Sequence, residues 1–272
     1  LMYVCMGGFN GCITARLYKT FKGKAWQRAT TSAALGFPGI TFMVFFIMNI
    51  MALFKKSTYA VPLKKLFGLL VLWFGISTPI VYFGAYFGYR QDAIEFPVNT
   101  SNIPRQIPYQ PWLMGYAFTF LIGRVLPFGA CLVELLFIMT SVWSYQYYYV
   151  FGSLLLFFFI LMISCTQITI LFNYFQLCAE NYHWWWRSFI TSGSVAAYVF
   201  GYFIYLVGLL EAIPFASYVL YFGYMSLFSF ALFLMTGCIG TFSTLWFNKF
   251  FLHPLEIKIK NDQRLRLMHQ KY

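Results

Sequence analysis

Residues 147–177 read YYYVFGSLLLFFFILMISCTQITILFNYFQL, 31 residues without one Asp, Glu, Lys or Arg. About 20 helical residues cross the hydrocarbon core of a bilayer, so this stretch is long enough to span a membrane with tilt or to extend beyond it. Residues 176–189 follow (QLCAENYHWWWRSF) and bring a carboxylate, an imidazole, a guanidinium and three consecutive indoles into what reads as a short linker between apolar blocks. Tyr and Trp gather where hydrocarbon meets water, because their rings are apolar while their O–H or N–H requires a polar partner. The pattern predicts a membrane span followed by an interfacial hinge.

The rest of the chain agrees. It is 61% hydrophobic, 23% aromatic and only 10% charged, whereas a soluble domain is roughly a quarter charged. The net charge of +12 does not point to nucleic acid, since the 19 Lys and Arg fall mostly in short segments between apolar blocks. There they set topology and meet anionic lipid. No groove-reading motif accompanies them. The six cysteines (Cys5, Cys12, Cys131, Cys165, Cys178, Cys238) lie in or beside apolar blocks with no C-x-x-C pairing. They read as small apolar side chains, not as disulfides or metal ligands.

Upstream of the opening stretch, Leu1 to Ala15 is already apolar and ends at Arg16 without a basic leader, so a first span cut short is expected and the chain reads as a fragment. Gly7 and Gly11 stand four apart in it, a spacing that lets helices approach closely in lipid. Arg16 to Thr31, with five cations and no acid, is the expected first polar loop. Spans are expected at about Ala33–Phe54, at about Leu66–Gly88 with a kink at Pro79, and at about Leu113–Ser141, which carries Arg124, Pro127 and Glu134. Between the last two lies a polar loop with Pro97, Pro104, Pro108 and Pro111 and the sequon Asn99-Thr100-Ser101.

Downstream, a sixth span runs from about Ser188 to Leu210, where Gly193, Ala197 and Gly201 repeat every four residues. A turn at Glu211–Phe215 leads to Ala216–Leu252, read as one long span in preference to a re-entrant hairpin. The expected fold is therefore an all-α polytopic bundle of about seven spans over residues 1–252, with a basic tail over 253–272. Alternating the spans puts fourteen cations on one face and four (Lys55, Lys56, Lys64, Lys65) on the other. The positive-inside rule then assigns the hinge and the tail to the cytosol, with Asn99 on the same side and so not glycosylated.

Several ordered motifs carry a resemblance. They include Leu126-Pro127-Phe128-Gly129-Ala130, Glu134-Leu135, Pro104-Arg105-Gln106-Ile107-Pro108, Leu177-Cys178-Ala179-Glu180, Trp184-Trp185-Trp186-Arg187-Ser188-Phe189 and Leu220-Tyr221-Phe222-Gly223-Tyr224. From about Tyr18 to Phe250 the chain resembles the nonaspanins, the transmembrane 9 superfamily. The resemblance implies nine spans behind a lumenal amino-terminal domain, of which that domain and two spans are absent here. It also implies Golgi and endosomal membranes, with delivery to the cell surface, and non-enzymatic sorting of client membrane proteins that have glycine-rich spans. The chain departs from the family at Asn181, where an acid is usual, and at Arg124, where Gly is usual. Lys260-Asn261-Asp262 has the form of a coatomer-read signal but is followed by ten residues.

The candidate residues have competing readings. Arg124 and Glu134 are ten residues apart, about 15 Å along a helix and roughly 80° out of alignment, so they cannot pair directly. Snorkelling or pairing with a neighbouring helix is the expected role; a proton or ion path through a secondary transporter is the alternative function. Glu180 and His183 offer too few ligands for a metal or catalytic site, and no cofactor is expected. The hinge is read as Trp anchors at an interface. A sharper reading has Trp184, Trp185, Trp186 and Arg187 fixing helix ends around a lateral groove for a client helix. The Gly193–Ala197–Gly201 seam serves either internal packing, the expected reading, or a client.

Overall fold

The computed structural model describes residues 2–23, 25–54, 61–92, 106–109, 115–144, 146–208 and 215–269. The elements are helical throughout: α1 (Met2–Thr20), α2 (Trp26–Phe54), α3 (Leu63–Leu72), a π-helical turn (Trp73–Ser77), α4 (Thr78–Arg90), α5 (Tyr116–Trp143), α6 (Tyr147–Cys178), α7 (Trp184–Gly193), α8 (Val195–Gly208) and α9 (Phe215–His269). No strand occurs among the described residues. The segment α3–π–α4 is one continuous rod and α7–α8 a second, so the described residues supply a helix for each of the seven expected spans. Five are long and apolar enough to cross a membrane: Trp26–Leu53, Lys64–Arg90, Tyr148–Cys178, Trp184–Gly208 and Ser217–Phe250; α5 adds a shorter apolar run, Val125–Ser141. The protein is an integral, polytopic helical membrane protein.

Boundaries differ from expectation where charge was read as loop. The first polar loop shrinks from Arg16–Thr31 to the turn between Thr20 and Trp26. Lys19 stays helical because its Nζ donates to the carbonyls of Tyr89 (3.1 Å) and Gln91 (2.7 Å) and lies 5.4 Å from the Tyr89 ring centroid. A cation there satisfies the last carbonyls of α4 and complements its dipole. Lys19→Met is expected to remove about 1 kcal/mol of stability, read as a lower melting temperature in detergent. Asn99, Arg105, Lys55, Lys56 and the turn residues 211–214 lie outside the described residues. The α9 helix confirms one long span and continues past Leu252 into the expected tail.

The chain forms two compact units, Leu1–Phe96 with Ile213–Tyr224, and Pro97–Ala212 with Met225–Tyr272. In the first, α1 and α4 touch backbone to backbone. A Cβ on Gly84 would lie 2.0 Å from the Gly8 carbonyl oxygen, one on Gly88 2.2 Å from that of Cys12, and one on Gly11 2.0 Å from that of Val81. Lipid tails are as apolar as Leu, so helices in a bilayer associate by close packing and hydrogen bonds, not by hydrophobic burial. Polar links join the other rods of this unit: Thr31 Oγ1 and Tyr82 Oη share a hydrogen bond of 2.6 Å, and Trp73 Nε1 donates to the Ala34 carbonyl at 3.3 Å. The break expected at Pro79 takes the form of the π-turn, closed by the Thr78 N–H donating to the Trp73 carbonyl. This widened turn accommodates a proline that has no N–H of its own.

In the second unit α5 lies along α6, while α7 and α8 pack on α9 through small and hydroxyl residues. Ser192 Oγ donates to the Thr236 carbonyl (2.6 Å), and Ser229 Oγ to that of Ala196 (2.8 Å). The rings of Phe189 and Phe233 meet edge to face at 5.5 Å. A Cβ on Gly240 would lie 2.3 Å from Ser192 Cβ. Both units thus combine absent side chains with side-chain hydrogen bonds between helices.

Candidate functional site

The opening hinge is mostly helix. α6 ends at Cys178, and a tight turn follows in which the N–H of Asn181 donates to the Gln176 carbonyl (3.1 Å) and that of Glu180 to the Leu177 carbonyl (3.0 Å). This is a Schellman motif, and Glu180 occupies its left-handed position with φ 56°. Gln176 Nε2 donates across the turn to the His183 carbonyl at 2.9 Å. The linker therefore closes in five residues, and Trp184, Trp185, Trp186 and Arg187 form the first turn of α7.

The four residues diverge in setting. Trp185 and Trp186 are exposed, Trp184 is half-buried, and Arg187 is 5% exposed. Trp186 meets the Phe189 ring at 6.4 Å, and Phe189 packs on Phe233 of α9. Arg187 Nη2 approaches Thr119 Oγ1 of α5 at 3.5 Å. The guanidinium thus has a contact on α5, the fourth span. The contact ties the start of α7 to α5.

The seam divides. Ser194 marks a one-residue irregularity in the rod, with the Ser194 N–H donating to the Ile190 carbonyl and the Ala197 N–H to the Ser194 carbonyl. Gly193, before the break, is buried; a Cβ there would meet the Phe233 ring at 2.6 Å. Ala197 and Gly201, after it, are exposed, and nothing lies within 4 Å of a Cβ placed on Gly201. Within the described residues Gly193 is packed against α9, whereas Ala197 and Gly201 are open. The sequence repeat concealed this because Ser is an ordinary helix residue and does not announce a break.

Ala197 and Gly201 instead form the floor of an open groove of about 440 Å³ between α5 and α8, with Leu121, Phe128 and Leu132 on one side and Tyr198 and Tyr202 on the other. Tyr198 Oη donates to the Leu121 carbonyl, and its ring lies 5.7 Å from that of Phe128, which holds the two walls together. The Tyr202 hydroxyl is shielded and has no hydrogen-bond partner among the described residues. Small residues facing outward beside aromatic walls suit a closely approaching helix. Tyr198 and Tyr202 were not singled out from sequence, and Phe128 only as part of a family motif; their spacing is that of any aromatic-rich span.

Glu134 is half-buried on α5, outside the lining of this groove, and the Arg124 side chain lies outside the described residues. Lys260 and Asp262 fall on the helical continuation of α9, and their side chains also lie outside. Among the described residues no three His, Cys, Asp or Glu side chains assemble as metal ligands. The groove offers an apolar, aromatic-walled surface with small residues at its floor.

Residues 1–216 match the family model described as Endomembrane protein 70. The chain is 48% identical over 258 residues to a protein of Arabidopsis thaliana, Transmembrane 9 superfamily member 10, covering 94% of this chain and 40% of that one. It is 45% identical over 247 residues to the human Transmembrane 9 superfamily member 4, covering 90% and 38%. The chain thus spans about two fifths of the length of these curated relatives. No solved structure matches it.

Proposed function

Because this chain belongs to the transmembrane 9 superfamily of membrane proteins, we propose that it is the membrane region of a non-enzymatic sorting factor that holds glycine-rich spans of client proteins in the α5–α8 groove. The reading places it in Golgi and endosomal membranes, with passage to the cell surface. The hinge and the basic tail then face the cytosol, with Lys260 and Asp262 as a coatomer-type signal displaced from the end of the chain by ten residues. Membrane lipids surround the exposed apolar faces of the helices.

The observation that carries this reading is the open floor at Ala197 and Gly201. A polytopic protein whose only need was internal packing would cover such a floor with its own side chains, as Phe233 covers Gly193. A glycine-rich client offers the complementary surface, its backbone settling between the walls formed by Phe128 and Tyr198.

Filling the floor tests the groove. Gly201→Leu and Ala197→Leu are expected to leave expression and melting temperature unchanged while reducing co-purification of a tagged client with a glycine-rich span by roughly tenfold, the equivalent of about 1.4 kcal/mol. Undiminished capture by a folded Gly201→Leu protein would remove the groove from the mechanism. Substrate-specific flux in proteoliposomes that depends on Arg124 or Glu134 would replace sorting by transport.

A further inference from the structure

Two amide side chains meet inside the second unit, far from the groove lining in sequence and unrelated to it in chemistry. Asn173 of α6 and Asn248 of α9 are 3% and 6% exposed, and Asn173 Nδ2 donates to Asn248 Oδ1 at 2.6 Å. Asn173 Oδ1 and Asn248 Nδ2 are equally buried, and neither has a hydrogen-bond partner among the described residues. Exchanging O and N on both amides preserves the mutual bond and still leaves one donor and one acceptor over, so the conclusion does not depend on how the amides are assigned.

The leftover pair defines its guest. A cation would bind the amide oxygen and be repelled by the N–H, and an anion would do the reverse. A group that donates and accepts at once satisfies both. The surroundings are polar enough to receive one: Thr169 and Gln176 stand one turn either side of Asn173, Thr244 stands one turn before Asn248, and all three are buried. In hydrocarbon an unsatisfied amide group costs several kcal/mol, and buried water commonly supplies two to four hydrogen bonds at such sites.

We infer that a single water molecule bridges Asn173 Oδ1 and Asn248 Nδ2, donating to the first and accepting from the second, and that α6 and α9 are joined by a hydrated polar contact near the ends of their spans. The joint combines one direct amide hydrogen bond with one water-mediated hydrogen bond. Replacing one amide strands the other; replacing both removes the demand for a partner altogether.

The test is a density map of the chain in lipid nanodiscs at a resolution that shows ordered water. The expected result is a peak within hydrogen-bond distance of both amides. A reciprocal amide pair with two mutual bonds, or two amides with no peak between them, overturns the inference. A melting series gives the second measurement: Asn248→Leu is expected to melt well below the parent, and Asn173→Leu/Asn248→Leu to recover at least half of that loss. A double variant that melts at or below the single one counts against the bridge.

Discussion

Gly84→Leu is expected to abolish the cooperative melting transition and the monodisperse peak of the detergent-solubilised protein. The first atom added to Gly84 would sit 2.0 Å from the carbonyl oxygen of Gly8 and 2.8 Å from its carbon. Neither is the movable end of a side chain; both are backbone of α1, so the helices themselves must part. Overpacking against yielding side chains already costs about 1–3 kcal/mol, and contact between two backbones exceeds that range. Separation also disturbs the neighbouring close contacts at Gly11 and Gly88. Gly36→Leu and Gly68→Leu are the controls, since nothing lies within 4 Å of a Cβ at either site. Size-exclusion chromatography with thermal challenge reads all three; a Gly84→Leu protein that melts like the controls would show that α1 and α4 do not meet in this way.

Gly240→Leu is the counterpart in the second unit. Its Cβ would lie 2.3 Å from Ser192 Cβ and 3.3 Å from the Ser188 carbonyl. A Cβ is fixed to its backbone, so relief requires α7 to move off α9, and the 2.6 Å hydrogen bond from Ser192 to the Thr236 carbonyl breaks with it. A stranded buried hydroxyl adds about 1–3 kcal/mol to the steric cost. The expected loss is on the order of 3 kcal/mol or more, a melting temperature lowered by at least about 6 °C for a chain of this size. Ser192→Ala separates the two effects, because it deletes the hydrogen bond without adding volume and is expected to lower the melting temperature by less. Equal losses in the two variants would locate the whole effect in the hydrogen bond.

The spans were legible because the bilayer selects for length and apolarity, both of which are local. Tyr147–Leu177 was expected and Tyr147–Cys178 is found, since no charge or proline interrupts it. Boundaries failed where one side chain has a distant partner. Lys19 reads as loop until its hydrogen bonds to Tyr89 and Gln91 are known. The indole run reads as linker until the Schellman turn at Glu180 closes α6 early enough for α7 to start at Trp184. The site was less legible still. Gly7 and Gly11 were recognised by their spacing, yet Gly84 and Gly88 have the same spacing and passed unremarked, because a seam gains meaning only from the helix it faces. Asn173 and Asn248 are separated by 75 residues and become a pair only through the packing of α6 against α9.

The π-turn at Trp73–Ser77 has a bearing on how this chain tolerates insertions and deletions. Such a turn is an α-helix carrying one surplus residue, and each residue turns a helix by about 100°. Everything after it, including Gly84 and Gly88, owes its azimuth to that surplus. Losing one residue anywhere between Leu72 and Thr78 would restore regular α-helical pairing locally while swinging the glycine face of α4 by about a quarter turn from α1. A rod that looks more ideal would then have lost its neighbour.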